Sequence, residues 1–124
     1  YGFRESANLR QVMTGVNNRV GKINRACQAA VATALTESNA KNYANNAVSA
    51  SKDYRYDAVG SDHLSVGVMQ QQTSSYPDVS KDMHPISASE QFVDRLTKIS
   101  GWNSGKYTIG ELCQKVQVSA YPDR

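Results

Sequence analysis

The 124-residue chain has few of the residues that mark special structural classes. It contains two cysteines and three prolines, and no apolar run approaches the ~18–20 residues that a membrane-spanning helix needs. Cys27 and Cys113 are too far apart for a C-x-x-C motif, which argues against a zinc site or a redox motif. A formal net charge of +3 without a clustered basic patch argues against nucleic acid. We therefore expect no cofactor, no metal, no nucleic acid and no membrane as partners.

The composition suits a single folded domain. Hydrophobic residues make up 40% of the chain and charged residues 20%, which argues against disorder. A chain of this length can bury roughly two-thirds of its unfolded surface. We expect one monomeric domain over residues 1–124. The chain opens on Tyr1 rather than Met, as a fragment excised or processed from a longer chain would.

Hydrophobic periodicity predicts a mainly α fold with little strand. The clearest pattern is in the second helix, where apolar residues recur three and four positions apart. A polar stretch over residues 39–64 has no sustained period, and we expect it to form a long structured loop with room for a short hairpin at 53–62. The five predicted helices cover about 6–19, about 23–38, 65–76, a segment from a capping box at Ser87–Glu90 to Gly101, and a segment starting at a second box, Thr108–Glu111.

The two cysteines each fall on the apolar side of a predicted helix. They are either a pair of buried thiols or a disulfide. A disulfide would close a loop of about 87 residues, worth roughly 4–5 kcal/mol in the chain-entropy model. We favour a Cys27–Cys113 disulfide, and with it an oxidising, extracellular setting for a secreted protein.

Glu37 has the sequence position that most strongly indicates a catalytic role. In an α-helix it lies within about 20° of Ala30 on the apolar stripe of the second helix, and it belongs to the last turn. Desolvation and the negative end of the helix dipole both oppose its ionisation there. A carboxyl that keeps its proton near neutral pH can act as a general acid in glycosidic cleavage. The alternative is that the helix end frays and Glu37 points into water.

Three motifs in order resemble those of goose-type lysozymes and lytic transglycosylases. They are Glu37-Ser38 in "ALTESN", Gly67-Val68-Met69-Gln70 in "SDHLSVGVMQQQ", and Ala120-Tyr121. The phrases "YANNAVSAS", "DAVGSDH", "GELCQKVQ" and "SAYPDR" are similar to secreted fungal muramidases of lysozyme-like fold. The resemblance extends from about Cys27 to the end of the chain.

This resemblance implies a lysozyme-like catalytic domain that cleaves the β-1,4 bond between N-acetylmuramic acid and N-acetylglucosamine in bacterial peptidoglycan. Such domains often follow an SH3-like cell-wall-binding domain, so a longer parent chain is expected. Glu37 would be the general acid. Asp62 matches the second carboxylate of goose-type enzymes, although it can also be a simple N-cap or turn aspartate, and Asp57 is the next choice. In an inverting hydrolase the two carboxyl groups stand about 6.5–9.5 Å apart.

The resemblance also implies a set of sugar-binding residues. Gln70 matches the family's sugar-contacting glutamine, and Tyr121 matches its cleft tyrosine. We expect Ser65 to begin a helix, Gly67 to let the backbone approach a ligand, and Tyr56 to offer an aromatic face. Amide side chains suit N-acetylated sugars because they supply a donor and an acceptor without a charge.

The chain departs from the family pattern at Leu64 and Gln72, where related sequences have acids. With fewer carboxylates, a lytic transglycosylase is a rival interpretation, because there the substrate's own 6-hydroxyl attacks. The sequence is also compatible with a chitin-acting hydrolase, and with a glycan-binding domain that has no catalytic activity.

Overall fold

Helices dominate the computed structural model, which describes residues 2–120, and for residues 119 and 120 the backbone alone. The mainly α prediction is confirmed. None of the helices among the described residues is long and apolar enough to cross a membrane. In chain order the elements are α1 (Phe3–Val20), α2 (Asn24–Ser38), β1 (Tyr43–Asn45), a 3-10 helix (Ser49–Asp53), β2 (Ala58–Gly60), β3 (Ser65–Val66), β4 (Gln71–Gln72), α3 (Val79–Asp82), α4 (Pro85–Leu96) and α5 (Ile109–Ala120).

The main core lies between α1, α2, α4 and α5. Helix α2 contributes small side chains, which let the neighbouring helices approach it closely, and the other three helices fill the space with larger ones. The alanines of α2 that are fully buried are Ala26, Ala29, Ala30 and Ala34, and the larger core residues are Val12 and Val16 of α1, Phe92, Val93 and Leu96 of α4, and Leu112 and Val116 of α5.

Helices α1 and α4 cross at very short range. A Cβ on Gly15 would lie 2.4 Å from the Ile86 carbonyl oxygen, so only glycine fits at this point of α1. One turn away, the Ser89 hydroxyl donates to the Val12 carbonyl at 2.7 Å. This crossing explains why a glycine is found inside a helix, where it would otherwise cost stability.

The predicted hairpin at 53–62 is wrong. Strand β2 pairs with β1 in parallel, with Tyr43 opposite Ala58 and Asn45 opposite Gly60. The 3-10 helix lies in the connection between the two strands. The pairing follows from a long-range contact, because the carboxylate of Asp57 accepts a hydrogen bond from the Asn42 main chain at 2.9 Å and so brings the start of β2 to the start of β1.

The predicted helix at 65–76 is also wrong. Strands β3 and β4 form an antiparallel pair, with Ser65 opposite Gln72 and Val66 opposite Gln71. Between them Gly67 has φ +83° and Gln70 has φ +50°, and this left-handed backbone cannot belong to a right-handed helix. Ser65 therefore caps no helix; it is buried in β3. We call residues 65–72 the hairpin.

The observed ends of α4 differ from the predicted ones, whereas the start of α5 was predicted correctly. Helix α4 begins at Pro85 rather than at the predicted Ser87, because proline at the first position has no N–H to leave unsatisfied. It ends at Leu96, earlier than Gly101. The second predicted capping box is confirmed: Thr108 N–H donates to Glu111 Oε1 at 2.9 Å, and Glu111 N–H donates to Thr108 Oγ1 at 3.1 Å.

Both cysteines are free thiols, so the favoured disulfide is not formed. Cys27 lines a cavity with residues of α1, among them Met13 and Val16. Cys113 donates instead to the Ala29 carbonyl, at 3.4 Å, on another face of α2. The body of α2 therefore separates the two thiols, and both of them are half-buried.

Gly67→Ala should destabilise the protein by about 3–5 kcal/mol, because it adds left-handed strain to a severe overlap. A Cβ at this position would lie 2.0 Å from the Asp82 carbonyl oxygen. The matched control is Gly105→Ala: its φ is also +83°, but nothing lies within 4 Å of its Cβ, so strain alone should cost about 1–2 kcal/mol. Urea unfolding of both variants measures the difference. Equal losses would contradict this packing.

Iodoacetamide should add two carbamidomethyl groups to the urea-unfolded protein without any reductant, as measured by intact mass. The reason is that both thiols are free in the structure. A sample reduced before alkylation is the control and should give the same mass. An unreduced sample that takes up no label would show that the two cysteines are joined after all.

Candidate active site

Glu37 lines a groove between α2 and α5. Its side chain is half-buried, and Thr33 lies one turn earlier on the same face of α2. Cys113 and Gln117 stand four residues apart on the opposing face of α5. The groove has a volume of about 220 Å³, and its lining residues are Ala32, Thr33, Thr36, Glu37, Gly110, Cys113, Gln114 and Gln117.

Two buried oxygens of this groove have no hydrogen-bond partner within the described chain: Thr33 Oγ1 and Gln117 Oε1. Cys113 lies near the Thr33 hydroxyl, but its thiol donates to Ala29, and burial raises the pKa of this thiol and so keeps it neutral. An unsatisfied buried polar group costs about 1–3 kcal/mol. Both residues also line a second, smaller cavity of about 10 Å³. Next to Glu37 the groove therefore offers a neutral donor, the Thr33 hydroxyl, and two neutral acceptors, that hydroxyl and the Gln117 amide oxygen.

Ser38 joins the end of α2 to the hairpin. Its hydroxyl oxygen lies 2.6 Å from the Val68 carbonyl and 3.0 Å from the Ala34 carbonyl. The segment after Glu37 is therefore in direct contact with the Gly67–Gln70 segment, although the two are about thirty residues apart in the sequence. The structure brings together the first two motifs that the sequence singled out.

The amides of the hairpin have separate roles. Gln70 is half-buried, and its Nε2 donates to the Gly67 carbonyl at 3.0 Å, which closes the turn. Gln71 is buried, and its Nε2 donates to the Ala88 carbonyl of α4 at 2.9 Å. Gly67 packs against the main chain of Asp82, so its lack of a Cβ serves contact with α3 rather than with a ligand.

Asp57 lies in a structural network. The side chain is 3% exposed, and its oxygens accept from Asn42 N–H (2.9 Å), Asn8 Nδ2 (2.8 Å) and Arg55 Nη1 (2.7 Å). Burial would raise the pKa of Asp57, but these hydrogen bonds and the Arg55 charge outweigh it and lower the pKa. Arg4 adds a longer ion pair at 3.6 Å. The carboxylate thus fastens the polar segment to α1.

The other predicted residues lie elsewhere on the surface. The side chain of Asp62 is 58% exposed, and its Oδ1 lies 2.6 Å from His63 Nδ1. Tyr56 is also exposed. Neither Asp62 nor Asp57 is among the described residues that line the groove with Glu37. Tyr121 lies outside the described residues.

One buried acid escaped the sequence-based prediction. Asp82, the last residue of α3, is fully buried, and Gln91 Nε2 donates to its Oδ1 at 2.9 Å. Burial raises the pKa of Asp82 to about 7, the Gln91 hydrogen bond opposes this shift, and the negative charge of Asp78 adds to it. Nothing in "SKDMHP" distinguishes this aspartate from a surface residue. Thr33 could have been noticed, since it lies one turn before Glu37 on the same face of α2, whereas the position of Gln117 depends on where α5 packs.

Within residues 2–120, no three His, Cys, Asp or Glu residues are grouped so that they could hold a metal ion. The chain matches no protein-family model and no curated protein. The chemistry of the groove therefore has to be argued from its own residues.

Asp57→Asn should lower the stability at pH 7 by about 3 kcal/mol, because the new amide presents a donor to three existing donors. The stabilisation from a carboxylate with a lowered pKa is present above its unfolded pKa of 3.8 and is lost as the pH falls through the folded pKa. The gap between variant and wild type should therefore shrink below about pH 4. Thermal unfolding across pH measures it. Asp53→Asn, which changes an exposed carboxyl at the end of the 3-10 helix, is the control, and a gap that stays constant down to about pH 2 would contradict the network.

Proposed function

We propose that this chain is a glycosidase of lysozyme-like fold that cleaves bacterial peptidoglycan, with Glu37 as the general acid. The observation that carries the proposal is the position of Glu37, half-buried at the end of α2 in a groove whose other polar residues are neutral. A carboxyl in such surroundings can deliver a proton to the glycosidic oxygen as the leaving group departs.

The chemistry of the groove supports an N-acetylated sugar as the ligand. Hydroxyls of Thr33 and Thr36 and amides of Gln114 and Gln117 surround Glu37. An acetamido group has one donor and one acceptor, which such side chains can satisfy without desolvating a charge. The volume of about 220 Å³ is below the roughly 300–1,000 Å³ of pockets for drug-sized ligands, so the described part would hold about one sugar ring.

The contact between the two motif segments is further support. Ser38 reaches the hairpin at Val68, so two of the three motifs that resemble goose-type enzymes contact each other in three dimensions. Motifs that matched by chance would have no reason to meet. On this proposal the substrate is the glycan strand of the bacterial wall, the bond is that between N-acetylmuramic acid and N-acetylglucosamine, and the enzyme is secreted and acts outside the cell.

A lytic transglycosylase is the second candidate, and one observation favours it. Glu37 is the single carboxyl among the described residues lining the groove. Asp57 is held by Asn8, Asn42 and Arg55, and Asp62 has a solvent-exposed side chain next to His63. An intramolecular attack by the 6-hydroxyl requires one acid that later acts as a base, whereas inverting hydrolysis requires a second carboxylate to activate water.

Glu37→Gln should reduce the clearing of purified peptidoglycan by about 10²–10⁴-fold, because the amide cannot donate a proton as an acid. Released muropeptides measured by mass spectrometry give the rate, and an unchanged melting temperature shows that the fold is intact. Asp53→Asn changes an exposed carboxyl and should clear walls at the wild-type rate. Equal rates for Glu37→Gln and wild type would refute the enzyme proposal.

The products and an Asp62→Asn variant distinguish the two candidates. Inverting hydrolysis with Asp62 as base predicts reducing muramic acid ends and a large loss of rate in this variant. Transglycosylation predicts 1,6-anhydro ends and near wild-type activity for Asp62→Asn. The combination of 1,6-anhydro ends with an inactive Asp62→Asn variant fits neither candidate.

A further inference from the structure

Asp82 is connected to the hairpin in two ways, one direct and one through Gln91. Its main-chain carbonyl oxygen approaches Gly67 so closely that a Cβ on Gly67 would lie 2.0 Å from it. Its side chain reaches the hairpin indirectly, because Gln91 Nε2 donates both to Asp82 Oδ1 (2.9 Å) and to Gln71 Oε1 (3.0 Å). Gln71 then donates to the Ala88 carbonyl at 2.9 Å. A continuous chain of hydrogen bonds thus connects the end of α3, α4 and β4.

The geometry favours the neutral form of this carboxyl. Asp82 is fully buried, its Oδ2 has no hydrogen-bond partner, and it forms no ion pair with any described residue. The groups that face it from the other elements are neutral: Gln91 on α4 and Gly67 on the hairpin. Asp78, the N-cap residue just before α3, is negative. An unpaired buried charge is too costly to persist, so the carboxyl keeps its proton or leaves the interior.

We propose that protonated Asp82 is a positioning residue for the active site: through Gln91 and Gln71 it holds the hairpin that carries Gln70 in place, and its ionisation loosens the contact between α3 and the hairpin. The relevance to catalysis rests on the function proposed above, because Gln70 is the candidate sugar-binding amide and Ser38 ties the same hairpin to the segment of Glu37. The mechanical part of the proposal does not depend on that function.

The direction of the pH dependence follows from the two states of the carboxyl. With the hairpin packed, burial raises the pKa of Asp82 to about 7, whereas a hydrated Asp82 would titrate near 3.8. The proton therefore stabilises the packed form fully below about pH 4. This stabilisation is lost as the pH rises to about 7 and changes no further above it.

Amide hydrogen exchange of the intact 124-residue protein tests this proposal without any substrate. The Gly67 N–H, which donates to the Tyr43 carbonyl at 2.7 Å, and the Gln70 N–H report on the hairpin, while amides of α1 and α4 report on the core. After correction for intrinsic exchange, hairpin protection in the wild type should fall about tenfold per pH unit between about pH 5 and 7. In Asp82→Asn it should not change with pH, and Asp53→Asn should behave as wild type.

Gln91→Ala is the second variant, and it decides the matter if Asp82→Asn does not fold. It cuts the chain between Asp82 and Gln71, so hairpin protection should fall at every pH while protection of α1 stays unchanged. The same pH slope in Asp82→Asn as in wild type would overturn the proposal. So would equal slopes for the hairpin and core amides, because Asp82 would then act on global stability alone. An inactive protein with the expected exchange pattern would reject the muramidase proposal and leave the mechanical part of this one, the control of the hairpin by Asp82, standing.

Discussion

The β region depends on the contact between Gly67 and the main chain of Asp82. No side chain fits between these two backbones, so the chain can turn there only with glycine in a left-handed conformation. At the next residue, Val68, Ser38 holds the hairpin to the end of α2. With the hairpin fixed between α2 and α3, the segment after Glu37 and the turn of Gln70 have defined positions relative to each other.

Elements with long amphipathic faces could be predicted from the sequence, and short ones could not. Helices α1 and α2 lie within a few residues of their predicted ends because the apolar period continues for several turns. The prediction for residues 65–72 was wrong because "VGVM" is too short to distinguish a helix from a strand. No local sequence pattern predicts that Gln70 adopts a left-handed conformation. The parallel pairing of β1 with β2 depends on Asp57 meeting Asn42, a contact between distant residues.

The candidate site shows the same division between local and long-range information. That Glu37 would face the inner side of α2 follows from its angle to Ala30, and the structure places it in a groove. Its neighbours Cys113 and Gln117 depend on where α5 crosses α2, which no local pattern encodes. Asp57 was selected for chemistry, yet its network with Asn8 and Arg55 gives it a structural role that only the folded chain reveals.

The separation of Cys27 and Cys113 by α2 means that the fold contains no covalent cross-link between its described helices. Within residues 2–120, the packing of α1, α2, α4 and α5 and the polar contacts of the β region stabilise the domain without one. The two thiols also lie in different cavities, one beside α1 and one beside Glu37. A spectroscopic probe attached to one or the other would observe two separate parts of the molecule, the helix bundle and the groove.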